Sequence, residues 1–523
     1  MNEASRSFNS KRNVIVGLVL ALLNTLIAFG VRVFFIRTLG VELLGVNSLL
    51  LEVISVMSLA ELGFGMAIVY KLYRPIKEND YETIAKYMNL YRKTYNIIAL
   101  VFLGIGLAML PFVQFLVKDI TIDVWYLRLV FGMFVIQTAS SYLLSYKTSL
   151  LMADQKNFIV SLFTFIVKAV CAGLSIGLLI LTQNWPDEQK NIVYIIYLGF
   201  QIIQAIGINI CIAIYVDKKY PFLKMKGNLT KEQKKETFKD VRNIFVKRLS
   251  GVVTSSTDNI LISTIVSTVL VGLYSNYVMI FSVVRLIKRE MTTGITGSIG
   301  NLSVSESVEK NIIVLRRLTF IYFVFGLIMC SGLMALASLF ITMWLNGDYI
   351  LPMDIVYLAI FVLFLEIVSE PLWQYLEVSG LFGIDKYIGI LGSVVNLIVS
   401  IILGINIGIA GIFIGTLCTQ IIQIVLKTVL IFTKKYRVSS LAYFLDWLKV
   451  VLAYGVVVVV EIFVFKFIQI DGGILEFIVK GFAALGLGLI GSILPFLFSD
   501  QLKYSWSLVT SIFARFKRRK ETV

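Results

Sequence analysis

The sequence predicts an all-α membrane protein with about fourteen spanning helices, and three observations predict it. Of its 523 residues 58% are hydrophobic and only 15% charged, with a mean hydropathy of +0.87, so a water-soluble globule would leave apolar surface uncovered. Apolar stretches of about twenty residues, each able to cross a roughly 30 Å hydrocarbon core as helix, follow one another from Val14 almost to the C-terminus. These stretches are continuous and do not alternate polar with apolar, which excludes a lipid-facing β-barrel.

The spans fall at about 14–36, 44–70, 95–116, 124–151, 157–182, 191–216, 244–266, 272–302, 318–344, 353–378, 387–407, 408–432, 444–468 and 474–498. The first begins after Lys11 and Arg12. It has the flanks of a signal peptide, but at about 23 residues and without a small-residue cleavage site it reads as a retained helix. Ile405, Asn406, Ile407 and Gly408 separate the eleventh span from the twelfth with hardly a polar residue.

Orientation follows from counting Lys and Arg. With the N-terminus inside, inner connections carry 32 of the 48, outer ones carry only 3 (Arg37, Lys118 and Lys190), and 13 lie within spans. The asymmetry persists through every hairpin, which predicts an even number of spans with both termini cytoplasmic. The net charge of +16 is thereby explained by orientation, and nucleic acid is not an expected partner; membrane lipids are.

The longest inner connection, 217–243, contains nine Lys or Arg against four acids. Shifting the chain by 227 residues superposes Leu44-Gly45-Val46-Asn47-Ser48 on Val271-Gly272-Leu273-Tyr274-Ser275, and Arg32 on Asn259. Together these predict two pseudo-symmetric six-helix lobes, 1–216 and 244–432, joined by a basic cytoplasmic linker at 217–243. Two added helices (433–498) and a basic tail (499–523) complete the chain. In the tail, Trp506, Leu508, Ile512 and Phe513 precede Lys517, Arg518, Arg519 and Lys520, as in a short interfacial helix.

Cys171, Cys211, Cys330 and Cys418 each fall inside an apolar stretch with no CxxC spacing, and histidine is absent. Disulfides, a metal site and a cofactor are therefore not expected, and the commonest near-neutral acid–base group is missing.

Charges inside spans carry the functional information, since each costs on the order of 3 kcal/mol at the bilayer centre even on permissive scales. Lys147, Lys247, Arg248, Lys427 and Lys449 sit near span ends, where they can snorkel. Arg32 on the first helix and Glu52 on the second lie at similar depth and could pair, whereas Glu61 is turned to another face and needs a different partner. The seventh helix holds a polar run, Thr254-Ser255-Ser256-Thr257-Asp258-Asn259, at mid-depth.

The eighth helix offers Arg285, Lys288 and Arg289 on one face, a cluster that a phosphate or pyrophosphate would seek, or else an interfacial fastening if the helix ends early. On the tenth, Glu366, Glu370 and Glu377 form a stripe beside Trp373. Such acids either couple to ions or pair with cations of another helix.

Several strings, Arg37-Thr38-Leu39-Gly40, Gly45-Val46-Asn47-Ser48-Leu49, Glu61-Leu62-Gly63-Phe64-Gly65, Ser256-Thr257-Asp258-Asn259-Ile260-Leu261-Ile262-Ser263, Val271 to Tyr277 and Ser298 to Leu302, together with Gly380-Leu381-Phe382, Asp385-Lys386-Tyr387 and Asn396-Leu397, give an ordered set. It resembles the bacterial polysaccharide flippase family, the Wzx-like branch of the multidrug/oligosaccharidyl-lipid/polysaccharide exporters. The resemblance implies a two-lobed, fourteen-helix flippase that moves an undecaprenyl-pyrophosphate-linked oligosaccharide across the membrane for capsule or other surface polysaccharide assembly. A polysaccharide polymerase would be its partner downstream. By position it assigns substrate contact to Arg32, Arg285, Asp258 and Asn259. Many relatives carry an arginine before the glutamate matching Glu377, and here Leu376 stands there.

Two other readings compete. A membrane polymerase or glycosyltransferase would need an outer loop able to hold catalytic carboxylates, yet the longest outer connections, including 346–351 with Asp348, are under about ten residues. A cation-coupled drug exporter of the same superfamily would favour acids and aromatics. The Arg285 cluster opposes that and the Glu366 stripe favours it.

Overall fold

The computed structural model describes residues 3–61, 64–119, 122–225, 227–347, 349–468, 470, 473–507 and 510. Leu508, Ile512, Phe513, the terminal basic run and Asp348, and the side chains of Lys247, Arg248, Thr254, Ser255 and Ser256, lie outside the described residues. Every regular element among the described residues is helical, and twelve of the helices are long and apolar enough to cross a membrane. The chain divides into two compact units, Met1–Gly272 and Leu273–Val523.

The first unit contains α1 (Glu3–Met57), α2 (Phe64–Glu78), α3 (Tyr81–Met109), α4 (Val124–Ala153), α5 (Asn157–Leu181), α6 (Asp187–Lys219), α7 (Lys231–Leu261) and the start of α8 (Thr268–Ser305). In α1 the backbone leaves helical geometry at Gly40 (φ 81°, ψ 173°), a conformation that an L side chain resists. That bend separates the first expected span from the second. The second ends sooner than its apolar run, at Met57, and the chain resumes as α2.

Beyond the bend α1 crosses the start of α8 at unusually short range. A Cβ at Gly45 would stand 2.2 Å from the Thr268 carbonyl oxygen, and one at Gly272 would stand 2.6 Å from that of Val41. The two glycines are the pair that the 227-residue shift superposes, and they allow backbone to meet backbone.

The 217–243 connection is largely ordered. Thr230 and Gln233 form a reciprocal capping box that starts α7 at Lys231, and Lys71 on α2 holds Glu236 on α7 at 2.7 Å. Where the seventh span was expected, α7 runs helical to Leu261, and the described residues there include the apolar helical stretch Thr257–Val266. Lys147, expected to snorkel, pairs with Asp217 at 2.7 Å.

The second unit holds the rest of α8 with α9 (Val308–Leu345), α10 (Met353–Val368), α11 (Glu370–Val378), α12 (Phe382–Ile407), α13 (Ile409–Leu430), α14 (Leu441–Phe467) and α15 (Ile474–Ile493). The tenth span is broken between α10 and α11, because Pro371 has no N–H to continue the ladder. α9 and α15 approach closely at Gly488, where a Cβ would lie 2.9 Å from Ile328 Cα. Aromatic packing fills the core of this unit, with Phe364 and Tyr454 stacked at 4.5 Å between centroids. Lys427, a second expected snorkeller, instead pairs with Asp385 at 3.2 Å and lies 4.1 Å over the Trp373 ring.

Candidate functional site

Within the second unit, α8 and the α10–α11 pair face each other with polar side chains repeating every three or four residues. On α8 these are Arg285, Lys288, Thr292 and Thr296; on α10 and α11 they are Glu366, Glu370 and Gln374. That repeat keeps each set on one side of its helix.

The contacts form a ladder. Arg285 Nε donates to Glu366 Oε2 at 3.0 Å, and Lys288 Nζ donates to Glu366 Oε1 at 2.9 Å. Lys288 also lies 3.1 Å from Glu370 Oε2, so one ammonium bridges two carboxylates. The ladder continues through neutral groups. Gln374 Nε2 donates to Glu370 Oε1 at 3.0 Å, and Thr296 Oγ1 donates to Gln374 Oε1 at 3.1 Å. Thr292 meets the Tyr322 hydroxyl of α9 at 3.0 Å.

Two cations therefore stand against two acids, and the ladder is balanced in charge. Lys288 and Glu370 are the covered members, at 13% and 14% side-chain exposure, while Arg285 at 37% is open enough to meet a ligand. Arg289, expected on the same face, is 68% exposed, and its nearest acid is the adjacent Glu290 at 3.6 Å. It stands outside the ladder. Gln374, Thr292, Thr296 and Tyr322 were not singled out from sequence, although the four-residue spacing of Thr292 and Thr296 after Lys288 was the available signal.

The remaining candidates belong to the first unit. Glu52 on α1 accepts a hydrogen bond from Asn259 Nδ2 of α7 at 3.2 Å, which brings together two residues 207 positions apart. Asp258 adjoins Asn259 in sequence. Arg32 lies in the electrostatic field of the Tyr197 phenol on α6. Glu61 accepts from the Tyr95 hydroxyl at 3.2 Å and also bonds Tyr142, which in turn contacts Ser58. The partner that its distinct helical face required is thus a pair of tyrosines. Each unit thus meets its carboxylates within helices with donors from other helices, which spares the acids an unpaired burial.

Comparison with known proteins bears on what such an arrangement serves. A family model described as "Polysaccharide biosynthesis protein" matches residues 10–293. No curated protein matches the sequence. Among solved structures, the fold is similar to that of "Lipid II flippase MurJ, inward closed conformation", at 16% identity and a TM-score of 0.64, over 91% of this chain and 97% of that one. It is also similar to an inward-facing multidrug resistance MATE family transporter of the MOP superfamily, at 15% identity and a TM-score of 0.55, over 79% and 96% of the respective chains. The Vibrio cholerae MATE transporter VcmN matches at 15% identity and a TM-score of 0.53, over 81% and 96%. The chain thereby shares the all-α fold of these proteins, and it is a multi-pass membrane protein.

Proposed function

The chain belongs to the polysaccharide biosynthesis protein family, and on that premise we propose that it is a flippase for undecaprenyl-pyrophosphate-linked oligosaccharide repeat units. It carries them from the cytoplasmic to the outer leaflet of the bacterial inner membrane, with both its termini cytoplasmic, and feeds a polymerase of capsular or other surface polysaccharide.

The observation that carries this reading is the Arg285–Lys288–Glu366–Glu370 ladder, whose cations lie within a span but are held in place by exchangeable acids. A pyrophosphate is the chemical equivalent of those carboxylates, with anionic oxygens that suit the arginine fork. Its arrival at Arg285 displaces Glu366, which retains Lys288. The site thus passes from an internal ion pair to a ligand ion pair without exposing an uncompensated charge. The polyprenyl chain stays in lipid, and alternating access completes transfer. No covalent bond is made or broken, so the protein acts as a carrier and not as an enzyme. Within the first unit, Arg32, Asp258 and Asn259 are the candidate polar contacts for substrate, with Glu52 and Glu61 as candidates for charge balance.

Deleting the gene tests the reading. Undecaprenyl-linked repeat units accumulate on the cytoplasmic side if the protein is a flippase, whereas flipped single units accumulating outside would identify a polymerase. In the complementing Arg285→Ala variant, unaltered polysaccharide export would remove Arg285 from the site.

The acids favour one second reading, export of a cationic drug, in which Glu366 and Glu370 bind the cargo. Efflux of a cationic dye that falls on deletion, with lipid-linked intermediates unchanged, would select it.

A further inference from the structure

One buried acid lies apart from every group used above. Glu461 belongs to α14, within the otherwise apolar run Val456 to Phe465. Only 1% of its surface is exposed, and its Oε2 atom is buried without a hydrogen-bond partner. Its Oε1 atom meets Ser331 Oγ of α9, itself fully buried. Among the described residues no lysine or arginine faces it. The groups around it are Cys330 and Ser331 on α9, the Ala484 carbonyl on α15, Tyr357 on α10 and Tyr454 on α14. None of these carries a positive charge.

Hydrogen counting at Ser331 identifies the state of the acid. Ser331 Oγ lies 2.6 Å from the Ala484 carbonyl oxygen and in hydrogen-bond contact with Glu461 Oε1. A carbonyl only accepts, and a serine hydroxyl has a single proton to give. If that proton goes to Ala484, the contact between Ser331 and Glu461 needs a second proton, and the carboxyl is the one group able to supply it. An ionised carboxylate would leave two acceptors competing for one hydrogen while also bearing an uncompensated buried charge, a combination that is strongly unfavourable. Gly488 brings α15 close against α9 at this level, its Cβ position being 3.2 Å from Ser331 Cβ.

We propose that Glu461 is a proton-binding site. Its carboxyl carries a proton inside the span, donates it to Ser331 Oγ and so fastens α14 to α9 and, through the serine, to α15. The same two helices meet again 15 residues earlier on each, where Arg316 of α9 grips Asp446 of α14 in a bidentate pair at 2.6 and 3.1 Å. The separation of 130 residues is common to both contacts, so α9 and α14 run side by side with one ionic and one protonic fastening about 22 Å apart along their axes.

The test uses the full chain in lipid nanodiscs and requires no transport readout, so its outcome is separate from that of the flippase reading. The infrared band of a protonated carboxyl should be present in the wild type near neutral pH and lost in E461Q, whose amide reproduces the neutral donor. S331A should shift that band to higher wavenumber, because the acid loses its acceptor. A wild-type spectrum that matches E461Q, or a band unmoved in S331A, would each overturn the proposal.

Discussion

Removing either end of the Arg285–Glu366 contact should destabilise the protein, and removing both should cost less than the sum. Glu366 accepts charge-assisted hydrogen bonds at 3.0 Å from Arg285 and 2.9 Å from Lys288. Breaking a fully buried pair costs about 3–5 kcal/mol, and an exposed one contributes about 0.2–1 kcal/mol. With side-chain exposures of 37% and 28%, this pair stands between those limits, and each of Arg285→Ala and Glu366→Gln should cost about 2 kcal/mol. Lys288 keeps Glu370 at 3.1 Å in either variant, so the loss is confined to the Arg285 end of the ladder. The double variant leaves no orphaned charge, and the cycle should return a coupling energy of about 1–2 kcal/mol. Reversible denaturant unfolding in mixed micelles measures it. Additivity within about 0.5 kcal/mol would refute the ladder as an energetic unit, and with it the argument that an incoming pyrophosphate exchanges for Glu366.

Other perturbations follow from single contacts. Gly45→Ala drives a Cβ to 2.2 Å from the Thr268 carbonyl, and because backbone cannot rotate away, the thermal midpoint should drop by the equivalent of about 1–3 kcal/mol. Asp446→Ala removes both bonds to Arg316 and the one from Gln501, which should loosen α14 and raise hydrogen exchange there while leaving α3 to α5 unchanged. Thr230→Ala deletes the side-chain acceptor of the α7 capping box. It should cost about 1 kcal/mol and increase proteolysis of the 217–243 connection.

Much of the architecture was legible in the sequence because each span is a local property. Twenty apolar residues must satisfy their own backbone in lipid, and only helix does this within one segment. The break at Pro371 and the bend at Gly40 follow equally from single-residue chemistry. Composition says less where a helix is charged over half its length, as in α7, whose first half is held by its capping box and by Lys71–Glu236.

The candidate site divides along the same line. Arg285, Lys288, Glu366 and Glu370 stood out individually, because charge inside an apolar run is costly wherever the chain goes. Their partnership depended on tertiary structure. Arg285 meets Glu366 across 81 residues, Arg289 turns away to 68% exposure, and Gln374 and Thr296 join only because α11 continues past the break. Glu461 makes the contrast plainest, for its neutrality is written in the three oxygens around Ser331 and in no local motif. A sequence specifies which groups must find partners. Which partner each one meets is decided by packing, since a contact between residues 130 apart has no expression in either segment alone.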